Sequence, residues 1–159
     1  MTALAKRQKL TPAASDTVAL PAGLAPLRNR MLKLAGAGEE AVPTDDELLG
    51  LIAEELYRNR RRRAQHFSQR LFGEPAWDIL LDLYAAAARG EMVSVSNACR
   101  AADAPPSTAL RWLQHLEDER LVERTADPTD ARRHFVQLTK RGAERMRAYF
   151  ADCRGEAAE

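Results

Sequence analysis

Residues 98–124 read ACRAADAPPSTALRWLQHLEDERLVER, and this stretch decides the fold. With the residues just before it, it predicts a short helix over residues 96–103, a tight turn, and a second helix over residues 106–120. The first helix has few large side chains. The second has one inner face at helical spacing, formed by Ala109, Trp112 or Leu113, and Leu116, and we expect Trp112 in the core. Two short helices joined in this way indicate a helix-turn-helix.

A predicted β-hairpin follows directly. LVERTA and HFVQLT form its two arms, and the basic loop DPTDARR, residues 127–133, joins them. Asp130 and Arg132 are spaced to pair across the loop or with each other, which would fix its shape and leave Arg132 or Arg133 facing outward. A helix-turn-helix followed by a basic hairpin is the order of a winged helix-turn-helix, in which the hairpin is the wing.

A long helix is predicted before this unit. Thr44 and Glu47 fit the T-x-x-E capping box, and apolar residues then recur at helical spacing. If unbroken, the helix runs to Gly73, over about 27 residues and about 40 Å. Because a small domain cannot cover such a helix alone, we expect part of its apolar stripe to meet a second subunit. The residues predicted to form the dimer are Leu49, Ile52, Leu56, Tyr149 and Phe150.

Two more helices flank the helix-turn-helix. GEPAWDILLDLYAAAARG predicts a helix with Pro75 in its first turn and Gly90 at its end. A last helix is predicted from Thr139. The expected fold class is therefore mainly α with a small β-hairpin, a winged helix-turn-helix with flanking dimerisation helices.

Four segments follow from these patterns. Residues 1–44 collect Pro, Gly, Ala and Thr without periodicity, and we expect a disordered or loosely ordered tail there. Residues 45–73 form the long helix, residues 74–138 the winged helix-turn-helix, and residues 139–159 a C-terminal helix and tail.

Composition limits the function classes. The 159 residues carry 24 basic and 23 acidic side chains, so the net charge of +1 does not by itself indicate nucleic acid. Cys99 and Cys153 lack metal-ligand spacing and His66, His115 and His134 form no visible cluster, so we expect neither a metal nor a cofactor. No nucleophile partnered by a base indicates an enzyme. No segment has the pattern of a signal peptide or membrane span, so we expect a cytoplasmic protein.

Three motifs carry a family resemblance. ACRAADAPPSTALRWLQHLEDERLVER, the D-x-R wing DPTDARR and the L-T-x-x-G junction VQLTKRG together resemble the multiple-antibiotic-resistance regulator (MarR) family. AWDILLDLYAA, TALRWLQHLE and DARRHFVQLT look like a subset of these regulators common in alphaproteobacteria. The resemblance implies a homodimer that binds a pseudo-palindromic operator in double-stranded DNA, usually as a repressor, often released by a small lipophilic effector.

Three positions depart from the family's pattern. Asp103 stands where the turn usually has Gly, and Arg120 stands where Gly usually closes the recognition helix. Pro105 replaces the usual Ser at the helix N-cap. A cap hydroxyl must then come from Ser107 or be absent.

The second helix and the wing are the parts assigned to DNA. The helix fits the major groove and reads base edges from its N-terminal turns, while the wing reaches phosphates or the minor groove. Arg111 is the best base-reading candidate, and its alternative is a solvated neighbour of His115. For the other candidate residues of this helix, the alternative to DNA contact is a helix cap or a solvent-exposed position, and the sequence does not decide between the two. The DNA-binding candidates are Ser107, Thr108, Leu110, Arg111, Gln114, Arg132 and Arg133, and Asp130 is expected to stabilise the wing.

A second function class stays open. The acids of LEDER, residues 116–120, oppose phosphate at the end of the presumed DNA-facing helix. The winged helix could therefore be a protein–protein interaction module without sequence-specific DNA binding. The salt dependence of DNA binding separates the two classes, because only a DNA binder releases counterions from phosphates.

The basic run RNRRRR, residues 58–63, has two interpretations. It is a candidate for phosphate binding. However, Glu54 and Glu55 lie one turn before Arg58, which favours pairs within one helix on a solvated face.

Overall fold

The computed structural model describes residues 44–68, 71–130 and 132–154. The elements in these ranges are α1 (Asp45–Arg63), α2 (Pro75–Ala88), β1 (Val93–Ser94), α3 (Val95–Ala101), α4 (Pro106–Asp118), β2 (Val122–Ala126), β3 (His134–Leu138) and α5 (Lys140–Arg154). Apart from Thr44, the tail predicted over residues 1–44 lies outside the described residues. The predicted fold class is confirmed, because the chain is mainly α and has the element order of a winged helix-turn-helix.

The wing belongs to an antiparallel sheet of three strands in the order β1-β3-β2. The predicted hairpin is confirmed: β2 pairs with β3, and Arg124 is opposite Val136. The sequence analysis missed β1, in which Val93 also pairs with Val136. Two residues are too few to show an alternating pattern. Because β1 runs directly into α3, it ties the start of α3 to the base of the wing.

Two apolar cores lie on opposite faces of α2, which is why this helix is apolar nearly all round. Ile79, Leu83 and Ala86 of α2 face the first core, which α3, α4 and the sheet complete. Leu81 and Tyr84 face the second core, which α1 and α5 complete. The helix-turn-helix and the flanking helices are thus joined through α2, and each has its own set of buried side chains.

Side-chain caps begin the first and last helices. The Thr44 hydroxyl accepts from the Glu47 N–H at 3.3 Å, and the Glu47 carboxylate accepts from the Thr44 N–H at 2.8 Å, so the predicted capping box is confirmed. Before α5, the Thr139 hydroxyl accepts from the Gly142 N–H at 3.0 Å and donates to the Arg120 carbonyl at 2.7 Å. Thr139 therefore starts α5 and ties it to the end of α4.

The first helix is shorter than predicted. α1 ends at Arg63 rather than at Gly73, and its last turn contains four arginines, which suit the negative end of a helix dipole. Beyond this turn, Phe67 and Leu71 are exposed and do not continue the buried stripe. No buried contact in the described residues therefore extends the helix, and the chain reverses before Pro75.

The inner face of α4 differs from the prediction by one residue. Ala109, Leu113 and Leu116 are buried, whereas 40% of the Trp112 surface is exposed. The expectation that Trp112 lies in the core is therefore wrong. Adjacent residues on a helix point about 100° apart, so burying Leu113 turns Trp112 toward the edge of the face. There its ring lies 5.7 Å from the ring of His115.

The predicted dimer residues mostly have partners inside one subunit. Leu49, Ile52 and Phe150 are buried in the second core, with only 1% of Leu49 and Phe150 exposed. Leu56 is half-buried against the same core, and Tyr149 is exposed and contacts Trp77 edge-on, with the ring centroids 4.8 Å apart. Leu49, Ile52 and Phe150 are therefore covered within the subunit, because α2 and the helices α1 and α5 pack on one another, and their predicted role in a dimer stays a prediction.

Candidate nucleic-acid interface

The outer face of α4 presents most of the predicted DNA-binding side chains. Ser107, Leu110, Arg111 and Gln114 are exposed, and Thr108 is half-buried. Pro105 makes no side-chain cap to α4, so the first amide N–H groups of the helix stay available to an outside acceptor. The face therefore combines a cation, an amide, an apolar side chain and helix N–H groups.

The end of α4 is closed by a Schellman motif. Arg120 adopts a left-handed conformation with φ of 57°, and its N–H donates to the Glu117 carbonyl at 2.8 Å. The Leu121 N–H donates to the Leu116 carbonyl at 2.9 Å, which completes the motif. Arg120 thus adopts the left-handed conformation that Gly usually adopts at the end of a helix. The turn before α4 is similar, because Asp103 has φ of 50°.

Asp130 shapes the wing through the backbone. Its carboxylate accepts from the Arg132 N–H at 3.0 Å, and its carbonyl accepts from the Arg133 N–H at 2.9 Å. The sequence analysis placed Asp130 at the right turn, but the bond with Arg132 goes to that residue's main chain. The Arg132 side chain is exposed, as an outward-facing wing cation requires.

Asp127 organises the other half of the wing loop. Its carboxylate accepts from the Thr129 hydroxyl at 2.6 Å and from the Thr129 N–H at 2.8 Å. These bonds, the hydroxyl bond foremost, hold the pKa of the Asp127 carboxyl below its ordinary value. The Asp127 N–H donates to the Arg133 carbonyl at 2.9 Å, which closes the loop. The Arg133 guanidinium lies over the Phe135 ring at 4.8 Å and 3.9 Å from the Asp127 carboxylate.

Two clefts connect α4 to the wing. The first, of about 710 Å³, lies between α3 and the start of α4 and is lined in part by Pro105, Pro106 and Leu110. The second, of about 560 Å³, lies between α3 and the wing. Its lining residues include Arg124, Arg132, Arg133 and His134. Val95 and Ser96 line both clefts, so the two are neighbours on one surface that runs from the recognition helix to the wing.

Arg124 links the wing to α4 and was not among the sequence candidates. It is on β2, and its guanidinium pairs with the Glu117 carboxylate at 2.9 Å. The pair neutralises one of the acids near the end of α4. Nothing local in LVERTA distinguishes this arginine, because its partner is on a different element.

The arginine run at the end of α1 is used within the subunit. Arg58 pairs with Glu54 at 2.6 Å, so the predicted intrahelical pairing is confirmed for this residue. Arg60 instead bonds to Asp78, and burial raises the pKa of the Asp78 carboxyl although Arg60 lowers it. Arg61 reaches the turn before α4. These contacts between elements were missed, since the partners lie far along the chain.

The described residues contain no cluster of three His, Cys, Asp or Glu side chains that could hold a metal ion. Cys99 is half-buried against the first core, and burial raises the pKa of its thiol. Cys153 is exposed on α5. None of the helices in the described ranges combines the length and the apolar character needed to cross a bilayer.

Comparisons with known proteins find likenesses only among solved structures. No family model and no curated protein matches the chain. Among solved structures, it is similar to AF1382 from Archaeoglobus fulgidus (17% identity, 62% of this chain and 99% of that one, TM-score 0.44). It is also similar to S. aureus MepR in a DNA-binding conformation (21%, 71% and 79%, TM-score 0.46) and in a complex with DNA (22%, 67% and 83%, TM-score 0.45). At these values the likenesses carry no argument about function, and the assignment of the winged helix depends on the elements described above.

Proposed function

We propose that this chain is a sequence-specific DNA-binding transcription regulator that binds a pseudo-palindromic operator as a homodimer. The helix α4 enters the major groove, and the wing lies at phosphates or in the minor groove beside it. Arg111 reads a base edge, and Arg132 and Arg133 contact the DNA backbone. The effector implied by the family resemblance stays a prediction.

The observation that carries this proposal is the common border of the two clefts. Val95 and Ser96 line the cleft beside α4 and the cleft beside the wing, so both face one surface. The wing cleft contributes Arg132 and Arg133, which attract phosphate. An α-helix with its side chains is about 10–12 Å wide and the major groove about 12 Å, so α4 fits the groove while the wing reaches the next phosphates.

The outer face of α4 supports direct reading of bases. Arg111 is exposed one turn into the helix, and a bidentate contact between arginine and guanine contributes about 1–3 kcal/mol of discrimination. Leu110, 45% exposed, is suited to the methyl group of thymine. Gln114 is suited to adenine, although its amide now donates to Asp118 at 3.1 Å and would have to exchange that bond.

Two of the acidic side chains at the end of α4 have partners within the subunit, so they repel DNA phosphates less than free carboxylates would. Glu117 is paired with Arg124, and Asp118 accepts from Gln114. Both lie in the C-terminal turn of the helix, whereas base reading uses the N-terminal turns. The two ends of α4 can therefore have opposite charge without preventing a groove contact.

A candidate contact surface for the homodimer lies just after the end of α1. Phe67, Leu71 and Phe72 expose large apolar areas after the end of α1, and the rings of Phe67 and Phe72 meet edge-on at 5.6 Å. Exposed apolar clusters of this kind mark sites of association. We place the contact with the second copy on this cluster, together with exposed Tyr149.

One observation favours the second candidate function, a winged helix that binds a protein. Trp112 exposes an aromatic ring on α4, and tryptophan is enriched at protein interfaces. Such a module would bind a partner through the edge of α4 that carries Trp112 and His115. It would show no salt-dependent binding to DNA.

Selection of genomic fragments by the purified full-length protein tests the proposed function. We expect enrichment of sites with two-fold symmetry, whose half-sites lie about one helical turn, or 10 base pairs, apart. A variant with Arg58→Ala is the control, because it removes an exposed arginine that pairs only within α1. Recovery of fragments with no common motif, by parent and control alike, would contradict sequence-specific recognition.

A further inference from the structure

The Arg61 guanidinium lies where α1 meets the turn between α3 and α4. It donates to the carbonyl oxygen of Ala101 and pairs with the Asp103 carboxylate. It also lies 3.1 Å from the Tyr57 hydroxyl and 4.8 Å from the centre of the Tyr57 ring. The Tyr57 hydroxyl donates to the same Ala101 carbonyl at 3.4 Å. Two side chains of α1 thus hold the last turn of α3 and the residue that begins the turn.

This contact is a polar link between parts with separate cores. The apolar side chains of α1 are buried in the second core, to which α3 and α4 contribute no residue. The buried side chains of α3 and α4 belong to the first core. Two connections therefore join α1 to the helix-turn-helix. One is α2, which packs in both cores, and the other is the direct contact made by the side chains of Arg61 and Tyr57.

The turn that Arg61 contacts leads directly into the start of α4. Asp103 has φ of 50°, a conformation costly for a residue with a β-carbon, and so benefits from an external partner. Pro105 and Pro106 follow after one residue, and proline fixes its own φ and restricts the residue before it. With so few free dihedral angles between Asp103 and α4, the position of Asp103 sets the direction in which α4 leaves the turn.

We propose that Arg61 is a positioning residue for the recognition helix: it fixes α4 by holding Ala101 and Asp103 and contacts no DNA itself. This inference rests on the proposed function. It requires arginine specifically. The planar guanidinium can hold a carbonyl and a carboxylate at once while it stacks on a ring, and an ammonium group cannot.

Amide hydrogen exchange in the DNA-free, full-length protein is the first test. We expect Arg61→Lys to speed exchange by about tenfold or more at two hydrogen-bonded amides, which corresponds to about 1.4 kcal/mol of local opening. They are the Asp103 amide, which donates to the Arg100 carbonyl at 3.3 Å, and the Ala109 amide of α4, which donates to the Pro105 carbonyl at 2.9 Å. Amides of α2 should exchange as in the parent. The control is Arg58→Ala, which should change none of these rates. Unchanged exchange at Asp103 and Ala109 in Arg61→Lys would overturn the inference.

DNA titration at several salt concentrations is the second test. We expect Arg61→Lys to bind the selected operator about tenfold more weakly, with the same slope of log K against log salt as the parent. A slope flatter by about 0.9 in the charge-removing variant Arg61→Gln would instead mean that Arg61 contacts a phosphate, and unchanged affinity of Arg61→Lys would mean that it positions nothing; either result overturns the inference. If the parent binds no DNA, the proposed function fails, while the exchange rates still decide whether Arg61 holds the turn.

Discussion

Asp103 and Arg120 have the same left-handed backbone conformation at the two ends of α4, with φ of 50° and 57°. The left-handed conformation brings the β-carbon of an L-residue close to the following carbonyl, at a cost of roughly 1–2 kcal/mol, and aspartate tolerates it better than arginine. The two sites therefore differ in what a glycine would change. Asp103 also pairs with Arg61, whereas Arg120 is an exposed side chain.

Arg120→Gly should stabilise the protein. We expect the free energy of unfolding to rise by about 0.5–1 kcal/mol, because the relief of the backbone cost exceeds the extra freedom that glycine gives the unfolded chain. Asp103→Gly should give no gain, since it removes the partner of Arg61. Urea unfolding measures both. Arg120→Ala is the control that keeps the β-carbon, and it would contradict the explanation by matching the gain of Arg120→Gly.

Gly142→Ala should destabilise the protein strongly. A β-carbon at Gly142 would overlap the carbonyl oxygen of Leu121, which cannot move freely because it accepts from the Thr139 N–H at 3.0 Å. We expect a loss of about 2–3 kcal/mol in urea unfolding, the upper part of the range for overpacking. The comparison is Gly90→Ala, where a β-carbon meets nothing within 4 Å but φ is 68°, so about 1 kcal/mol is expected. An equal or smaller loss in Gly142→Ala would refute the close approach.

Asp82 gives the protein a stability that falls with rising pH. Burial raises the pKa of the Asp82 carboxyl, against the lowering effects of Arg89 and Arg61. The folded chain then keeps a proton that the unfolded chain has already released, so the free energy of unfolding falls as pH rises from the ordinary aspartate pKa through the raised one. Burial raises the pKa of Asp78 as well, which adds to the same fall.

Asp82→Asn should remove the part of this decrease in the free energy of unfolding that Asp82 causes. Relative to the parent, we expect the variant to gain stability as the pH rises above about 4, the ordinary aspartate pKa, since asparagine has no proton to release. Urea unfolding at a series of pH values measures the difference. The control is Asp152→Asn on the exposed face of α5. Parallel curves for the parent and Asp82→Asn would show that this carboxyl does not titrate abnormally.

Substitutions of Arg111 and of the two wing arginines should weaken DNA binding in different ways. Arg111→Ala should relax the preference for one base pair, at about 1–3 kcal/mol, and leave binding to unrelated DNA nearly unchanged. Arg132→Ala combined with Arg133→Ala should weaken binding to all sequences and flatten the salt slope by about 0.9 for each lost contact. Competition titrations with operator and scrambled DNA measure both effects. If both variants bind the operator like the parent, the assignment of these residues is wrong.

The sequence predicted the parts of the fold that depend on neighbouring residues. The capping box of Thr44 and Glu47 joins groups only three residues apart, so the spacing of residue types reveals it. The wing loop is similar, because Asp130, which was predicted to stabilise it, bonds to a group two residues later. Such contacts are encoded locally and can be recognised before the fold is known.

The sequence did not predict contacts that depend on how the elements pack. Trp112 and Leu113 fit the inner face of α4 almost equally by periodicity, and a small rotation of the helix decided between them. Arg61 meets Ala101 although they lie 40 residues apart, and no property of RNRRRR distinguishes this arginine from its neighbours. For Leu49 and Phe150, the apolar pattern was interpreted as a dimer contact, because such a pattern cannot say whether the covering surface belongs to the same chain.

The salt dependence of DNA binding by the full-length protein tests the central claim most directly. Two wing arginines in each of two subunits make four phosphate contacts, so we expect log K to fall with log salt at a slope of about −3.6 or steeper for the selected operator. Arg58→Ala should keep that slope. Binding that does not change with salt, or no binding to DNA at any salt concentration, would contradict the claim that α4 and the wing form one DNA-binding surface.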